Sequence, residues 1–386
     1  MSSKAIRKRP LSPMTFLLRN TQKTAPLTLV IVLSVMLIGG IVAMMNSIPL
    51  SIKVIYSYSR HYLGVTPRGD ASLTPSIRRR IEEKSPVEID RILVCRASSA
   101  QVKSLVGKWP FVVLALNEPD MRYYLGRMGG GKVVGRLPLG TAPEAVISEP
   151  VARNLNLKLG DALLGPEKEG DFSPKRVKVV GIVHTQEWIM LCPIEYHKLH
   201  HWPKTDLLLV FAQNLQEQGR LDRWAENEFK GERTQLFAYH QLEKDTDEMF
   251  SMLYRILNVV IGMLVLVITF MMALLMNIYQ TQRMQEFGLL QALGYTKRKL
   301  LRRTIVESLI VLAGGWTLGL VLAVVMLNIV YDVLMHPNAF ALDPTDPVAF
   351  RYTIPVPIAI LLAASLTVSL KFRSFDPIRI VERRLG

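Results

Sequence analysis

The stretch RMQEFGLLQALGYTKRKLLRRTIVES, residues 283–308, decides the fold because it is a basic interruption between two apolar segments. The segment before it, 256–282, and the segment after it, 308–331, contain no charged side chain, and two further segments of this kind are 24–52 and 352–370. A membrane-spanning helix needs about 20 apolar residues, so each of the four segments is long enough to cross a bilayer. We therefore predict an α-helical membrane protein with four transmembrane helices.

The positive charge of the chain indicates how these helices are oriented. The formal net charge is +15 over 386 residues, and Lys and Arg collect in the N-terminal flank, in the link 283–308 and in the tail. Cytoplasmic loops are rich in Lys and Arg, so we expect these three regions inside and the residues between the first two spans outside. The excess charge is then an orientation signal. No nucleic-acid partner is expected, because the soluble part lacks a basic face or an aromatic platform.

The domain boundaries follow from these spans. We predict a cytoplasmic N-terminal segment 1–26, transmembrane helix 27–47, an extracytoplasmic domain 48–250, and a C-terminal membrane region 251–386 with transmembrane helices at about 254–280, 304–331 and 353–371 and a cytoplasmic tail 372–386. The alternative for the basic start and first apolar segment is a signal peptide. The apolar core is long for a signal peptide and lacks a clean small-x-small cleavage site, which favours a membrane span.

The segment between the first two spans alternates helix and strand signals. Thr74-Pro75 begins a short helix, Ser148 can cap another, and apolar runs such as FVVLALN (111–117) and RVKVVGIV (176–183) predict strands. The pattern predicts an α+β domain inserted between helices 1 and 2. Its two cysteines, Cys95 and Cys192, either form a disulfide or are separate buried thiols.

The residues leading into the second span predict one long helix. From Gln241 to Gln282 the chain contains no proline and a single glycine, Gly262, and polar residues pass directly into the apolar run. We expect a continuous helix of about 40 residues, near 60 Å long at 1.5 Å per residue. The alternative is a hinge where the helix enters the membrane.

The stretch GRMGGGKV, 126–133, resembles a phosphate-binding loop but lacks its final hydroxyl. The residue after Lys132 is Val133, where a Ser or Thr would hold magnesium, and no apolar strand precedes the glycines. We interpret it as a flexible loop without a nucleotide.

Other chemistry-bearing patterns are also weak. The residues His184, His197, His200 and His201 lie near Cys192 without the spacing of a zinc site. No common hydrolase, metalloprotease or dithiol motif occurs, so the chain is not expected to be an enzyme, and no catalytic residue, cofactor or metal is assigned to it.

The link 283–308 itself predicts a short amphipathic helix at about 283–293. Phe287, Leu290, Gln291 and Leu293 lie near one face, and Gly294 ends the helix. Apolar side chains on a cytosolic surface need a cover, which is either lipid headgroups or a groove of another protein.

The same link and the following span resemble the signature of the FtsX-like permease family, also called MacB-type or type VII ABC transporter permeases. The matching residues are Arg283, Glu286, Gly288, Ala292, Gly294, Glu307, Gly314, Gly315 and Gly319. Gln291 departs from the family, which often has a basic residue there. The stretches GRLPLGTAPEAVISEPVARNLNLKLGD and VKVVGIV are similar to the core of the family's extracytoplasmic domain, and the tail FDPIRIVERR is similar to the family's ending.

The resemblance implies a permease subunit without ATPase activity of its own. In the family the short cytoplasmic helix is a coupling helix that sits in a groove of a separate ABC-type ATPase, which binds ATP and magnesium. Carried over, the ATPase-coupling residues are Arg283, Glu286, Phe287, Leu289, Leu290, Ala292, Leu293 and Gly294. Close helix packing in lipid would be allowed by Gly314, Gly315 and Gly319.

The resemblance also implies mechanotransmission, in which ATPase closure moves the extracytoplasmic domain through the long helix. Two functions remain open: export or extraction of a substrate, and regulation of a cell-wall hydrolase without transport. The domain's size favours export. The implied location is the bacterial inner membrane with both termini cytoplasmic. The implied partners are the ATPase, a second permease copy or sister permease, membrane lipid and, for export, a periplasmic membrane-fusion adaptor.

Overall fold

The computed structural model describes residues 21–168, 170–200 and 205–373, which form two compact units. The helical unit contains the described residues up to Asn46, Leu253–Val330 and the residues from Asp343. The sheet unit contains Ser47–Met252 and Tyr331–Leu342. Sequence analysis places 331–342 in a link of the membrane region, whereas the structure groups it with the sheet unit. The basic N-terminal flank, His201 and the FDPIRIVERR motif lie outside the described residues.

Helices dominate the described residues on either side of the ten strands. The helices are α1 Thr21–Ile55, α2 Thr74–Lys84, α3 Glu118–Arg127, α4 Glu149–Leu155, α5 Ile194–His200, α6 Leu215–Glu228, α7 Tyr239–Gln282, α8 Met284–Ala292, α9 Lys297–Val330, α10 Pro347–Arg351 and α11 Pro355–Arg373. Among the described residues, four segments are long and apolar enough to cross a membrane: Thr24–Ile55, Tyr239–Gln282, Lys297–Asn338 and Pro347–Leu370. The prediction of four such helices, with an α+β domain between the first two, is confirmed.

Helix α7 is continuous, as the sequence predicts. It runs for 44 residues from Tyr239 to Gln282, which corresponds to about 66 Å at 1.5 Å per residue. Gly262 causes no break, because a single glycine inside a long helix costs only about 1 kcal/mol relative to alanine. One helix therefore contributes residues to both units.

The described part of the sheet unit contains ten strands. The strands are β1 Leu63–Pro67, β2 Ile89–Ser104, β3 Gly107–Leu116, β4 Val133–Gly135, β5 Glu144–Ser148, β6 Ala162–Leu164, β7 Val177–Val183, β8 Met190–Pro193, β9 Leu207–Ala212 and β10 Thr234–Phe237. Their order is β10-β1-β9-β2-β3-β8-β5-β7-β4, and β6 pairs with β7.

Strand β2 belongs to both halves of this sheet. Its first half pairs with β9, up to Cys95 opposite Leu207, and its second half pairs with β3 from Arg96 onward. The antiparallel β2–β3 pair and the parallel β3–β8 pair place the larger apolar core around the second half. A second apolar cluster packs helices α2 and α6 against β1 and β9.

The predicted cap of helix α4 has a different role in the structure. Ser148 precedes the helix, but its hydroxyl makes no capping hydrogen bond. It instead accepts a hydrogen bond from the N–H of Ile189 at 3.0 Å. The hydroxyl of Ser148 therefore links the end of β5 to Ile189, the residue before β8, and does not cap the helix.

Candidate functional site

Helix α8 ends at Ala292, and Gly294 follows it as the helix stop that the sequence predicts. The N–H of Tyr295 bonds to the carbonyl of Leu290 at 3.1 Å, and the N–H of Gly294 bonds to that of Gln291 at 2.9 Å. This pair of bonds is the Schellman motif, which needs a left-handed residue after the helix. Gly294 has φ +92°, a conformation that residues with a Cβ rarely adopt.

Arg283 fixes the start of helix α8. Its Nη1 lies 2.8 Å from Oε2 of Glu307 on α9, and its Nε lies 3.3 Å from Oε2 of Glu286. The side chains of Arg283 and Glu307 are only 3% and 4% exposed. Arg303 donates from Nε to the other carboxylate oxygen of Glu307 at 2.9 Å. A buried charge of this kind is tolerated only when it is paired and hydrogen-bonded, as here.

Aromatic rings surround the same guanidinium. Its central carbon lies 5.3 Å from the ring centroid of Tyr279 and 5.0 Å from that of Phe287. Nη1 of Arg283 also donates to the hydroxyl of Tyr279 at 3.3 Å. Arg283 therefore connects side chains of α7, α8 and α9 and sets the angle at which the short helix leaves the long one.

Other residues of the same chain cover the side chain of Phe287. Phe287 is buried in a small apolar cluster with Leu300 and Val368, against which Met284, Leu290, Tyr295 and Leu301 pack. The expectation that a partner or lipid must cover Phe287 is therefore wrong, because residues distant in sequence already cover it. The amphipathic face also differs, since Leu293 does not share the buried side of Phe287.

A different part of helix α8 is uncovered. Leu289 and Leu293 are 69% and 76% exposed, and Ala292 is exposed between them. These residues are spaced i, i+3 and i+4, so they form one apolar strip at the C-terminal end of the helix. Glu286 is partly exposed on the preceding turn, and its carboxylate faces Arg283. The candidate site thus has a buried anchor and an exposed strip.

Two of the three predicted packing glycines contact helix α1. A Cβ on Gly319 would lie 2.9 Å from Cβ of Val35, and one on Gly315 would lie 3.0 Å from Cγ2 of Ile31. Gly314 differs, because a Cβ there would meet nothing within 4 Å. Gly315 and Gly319 are four residues apart, and this spacing lets two helix backbones approach closely.

The glycine-rich stretch 126–133 connects a helix to a strand, the reverse of the order around a phosphate-binding loop. It follows helix α3 and enters strand β4, whereas a phosphate loop follows a strand and opens a helix. Gly129 has φ +64°, and the N–H of Gly130 bonds to the carbonyl of Leu125 at 2.7 Å, which closes the helix. The interpretation as a loop is consistent with this geometry.

Neither cysteine nor histidine forms an evident site in the part of the chain that the structure describes. Cys95 and Cys192 are free and buried, and no group of three potential metal ligands occurs among the described residues. Burial raises the pKa of the Cys192 thiol to about 12 and that of Cys95 well above its usual value. Both thiols are therefore protonated at neutral pH.

Sequence reasoning missed the partners of the buried anchor. The coupling residues predicted from the sequence include Arg283 and Glu286 but not Arg303 or Tyr279, and Glu307 is predicted only as part of the family signature. A signal was available, because Glu307 is an acidic residue at the edge of an apolar segment, and such residues are usually paired.

A comparison with protein-family models finds a match that covers helix α8 and the Arg283 network. Residues 258–377 match the family model described as FtsX-like permease C-terminal. Over these residues the chain is similar to the FtsX-like permease domain. The resemblance predicted from the sequence motifs is therefore confirmed, and the FtsX-like region contains both the buried anchor and the exposed strip. A search of curated proteins found no match.

Two solved structures share low similarity with the chain. The periplasmic region of MacB from Actinobacillus actinomycetemcomitans is 11% identical, covers 50% of this chain and 98% of its own, and gives a TM-score of 0.27. The extracellular domain of the noncanonic ABC-type transporter YknZ from Gram-positive bacteria is 13% identical, covers 46% of this chain and 99% of its own, and gives a TM-score of 0.25. At these values neither likeness carries information on function.

Proposed function

We propose that this chain is the membrane subunit of an ABC-type transport complex and couples ATP hydrolysis by a separate ATPase to movement of the sheet unit. The observation that carries the proposal is the junction at Arg283. There the long helix α7 meets the short helix α8 of the FtsX-like region at a buried ion network. A displacement applied to α8 is passed to α7 and α9, because Arg283 holds side chains of all three.

The ATPase contact is assigned to the exposed strip of helix α8. Leu289, Ala292 and Leu293 present apolar surface that the described residues leave uncovered, and a hydrophobic groove on a partner fits such a strip. Arg283 and Phe287 have a supporting role, since both are buried and cannot reach a partner without rearrangement. Gly294 sets the turn that directs the strip outward.

The remaining features of the complex follow from this assignment. ATP and magnesium bind the partner ATPase, and this chain has no catalytic residue. The sheet unit is extracytoplasmic, with the link between α7 and α9 in the cytosol of a bacterial cell. Export or extraction of a substrate is the function that this arrangement serves, with a second permease copy or sister permease completing the membrane part.

The test is isolation of the tagged chain from native membranes followed by mass spectrometry. We expect an ABC-type ATPase to co-purify with the wild type and to be lost in the variant Leu289→Glu/Leu293→Glu, because two carboxylates would be buried in an apolar groove. Arg298→Glu, at an exposed position of the same link outside the apolar strip, is the matched control and should retain the ATPase.

A second measurement addresses the enzyme assignment. The purified chain alone should hydrolyse no ATP, and Lys132→Ala should change nothing. Turnover by the isolated chain that is abolished by Lys132→Ala would contradict the proposal, as would a wild-type preparation that contains no ATPase.

A further inference from the structure

The sheet unit contains a cavity where its two halves separate. Strand β9 ends its pairing with β2 at Leu207, whereas β2 continues from Arg96 with β3 alone. The second half of β2 therefore leaves β1 and β9 and opens a space between them. The cavity has a volume of 390 Å³, within the range of about 300–1,000 Å³ that small-molecule sites occupy.

Aromatic rings form a large part of the cavity wall. The rings belong to Tyr56, Tyr58, Tyr62, Phe111 and Phe237. Tyr58 and Phe111 meet edge to face with centroids 5.3 Å apart, and Tyr56 stacks on Phe111 at 6.3 Å. The hydroxyl of Tyr56 donates to the carbonyl of Pro110 at 2.6 Å, which fixes that ring. These contacts hold the wall in a preformed arrangement.

The described lining residues carry hydroxyl groups but no charge. Ser59, Thr66, Ser98 and Ser99 are among them, together with apolar residues such as Leu114. Hydroxyl groups of this kind can exchange a hydrogen bond with a polar group of a ligand, but they cannot neutralise a charge.

We propose that this cavity binds an uncharged, largely apolar small molecule with an aromatic or alkyl body and at most a few polar groups. Charged molecules are disfavoured, because they would lose hydration without meeting an opposite charge. An apolar body gains from contact with the aromatic wall. The proposal does not depend on ATPase coupling, because binding requires neither ATP nor a partner chain.

The test measures protection of an introduced thiol in the full-length chain. Ser99→Cys places a thiol on the exposed part of the cavity lining, and the native Cys95 and Cys192 are buried. The uncharged probe N-phenyl-1-naphthylamine should slow labelling of Ser99→Cys by N-ethylmaleimide at least fivefold, with saturation. Labelling of Val106→Cys, which is exposed in the turn between β2 and β3, should not change.

Filling the cavity should remove the protection. Ala97→Trp and, as a second variant, Val112→Trp are each combined with Ser99→Cys, since both positions line the cavity. Ala162→Trp on β6 is the matched control and should keep the protection. Melting temperatures identify any variant that fails to fold. If one filling variant fails to fold, the labelling rate of the other shows whether filling the cavity removes the protection.

Three outcomes would overturn the proposal. The first is an unchanged labelling rate of Ser99→Cys at saturating probe, and the second is equal slowing at Val106→Cys, which would indicate unspecific partitioning. The third is equal protection by the anionic probe 1-anilinonaphthalene-8-sulfonate, which would contradict the selectivity for uncharged ligands.

Discussion

The guanidinium of Arg283 joins side chains of three helices: Tyr279 on α7, Glu286 and Phe287 on α8, and Glu307 on α9. This one side chain holds three helices together, because its planar guanidinium offers hydrogen-bond donors in several directions. The charge is inexpensive to keep only while the side chain of Glu307 stays in place. The junction therefore depends on both partners.

Removing one partner of this pair should destabilise the helical unit. We expect Arg283→Gln and Glu307→Gln each to lower its stability by about 1.5–3 kcal/mol, since each removes one charged hydrogen bond and leaves a buried charge with a single partner, Arg303 for Glu307 and Glu286 for Arg283. The double variant should cost less than the sum of the two single variants. Thermal melting in detergent measures the effect, with Arg298→Gln, at an exposed position, as control. Strict additivity of the two variants would show that the pair is not coupled.

Asp222 gives the sheet unit a predictable pH dependence. Burial raises the pKa of its carboxyl to about 7, a hydrogen bond from Gln218 lowers it, and Glu226 adds to the increase. Between about pH 4, near the ordinary pKa, and pH 7 the folded state binds more protons than the unfolded state. This contribution to stability is therefore lost as pH rises through that window, and above pH 7 it stays lost.

The variant Asp222→Asn should remove this slope. Asparagine stays neutral and can still accept from Gln218, so we expect a higher melting temperature than wild type at pH 8 and little difference at pH 4. Melting curves at both pH values provide the measurement. A variant that remains less stable than wild type at pH 8 would contradict the prediction.

Local sequence predicted the single residues whose role depends on the backbone alone. Gly294 was predicted as a helix stop because glycine tolerates positive φ, and it has φ +92°. Phe287 and Ser148 were not predicted correctly. The cover of Phe287 comes from Leu300 and Val368, and the hydroxyl of Ser148 bonds to Ile189, so both depend on contacts between distant residues.

Among the helices, α9 packs on α1 through glycine. The backbone of α9 at Gly315 and Gly319 approaches side chains of Ile31 and Val35, while Trp316 donates from Nε1 to Oγ1 of Thr353 at 3.0 Å. In lipid there is little hydrophobic gain from helix association, so such close packing and hydrogen bonds stabilise the bundle.

This packing predicts opposite results for neighbouring glycines. Gly319→Ala should lower the melting temperature of the protein in detergent, because the new Cβ would lie 2.9 Å from that of Val35. Gly314→Ala should be neutral or slightly stabilising, since its Cβ meets open space and alanine favours helices. If both variants melt at the same temperature, the packing of α9 on α1 does not depend on Gly319.

The helices as elements were largely predictable, and the sheet was not. Apolar runs without charge identify the four candidate spans, and the absence of proline predicted the continuity of α7. The individual strands were visible in runs such as 176–183. Their order was not, because pairing of β9 with β1 and β2 joins residues more than 100 positions apart, and no local pattern records it.

For the whole molecule, the orientation deduced from Lys and Arg can be tested directly. In intact cells, a membrane-impermeant maleimide should label Lys132→Cys and should not label Arg298→Cys until the membrane is opened. Both positions are exposed, and the native cysteines are buried, so background is low. Equal labelling of both positions in sealed cells would place them on one side and contradict the proposed topology.

The unbroken helix α7 carries a further constraint on the length of the chain. Successive residues of an α-helix are turned by about 100° about its axis, since one turn takes 3.6 residues. A residue inserted between Met272 and Tyr279 would therefore turn Arg283 away from Glu307 relative to the buried α7 residues Leu257 and Ile261, whereas seven inserted residues, close to two full turns, would nearly return it. The number of residues in this part of α7 therefore fixes the direction in which the side chain of Arg283 points. Insertions that do not match the helical repeat should break the contact between Arg283 and Glu307.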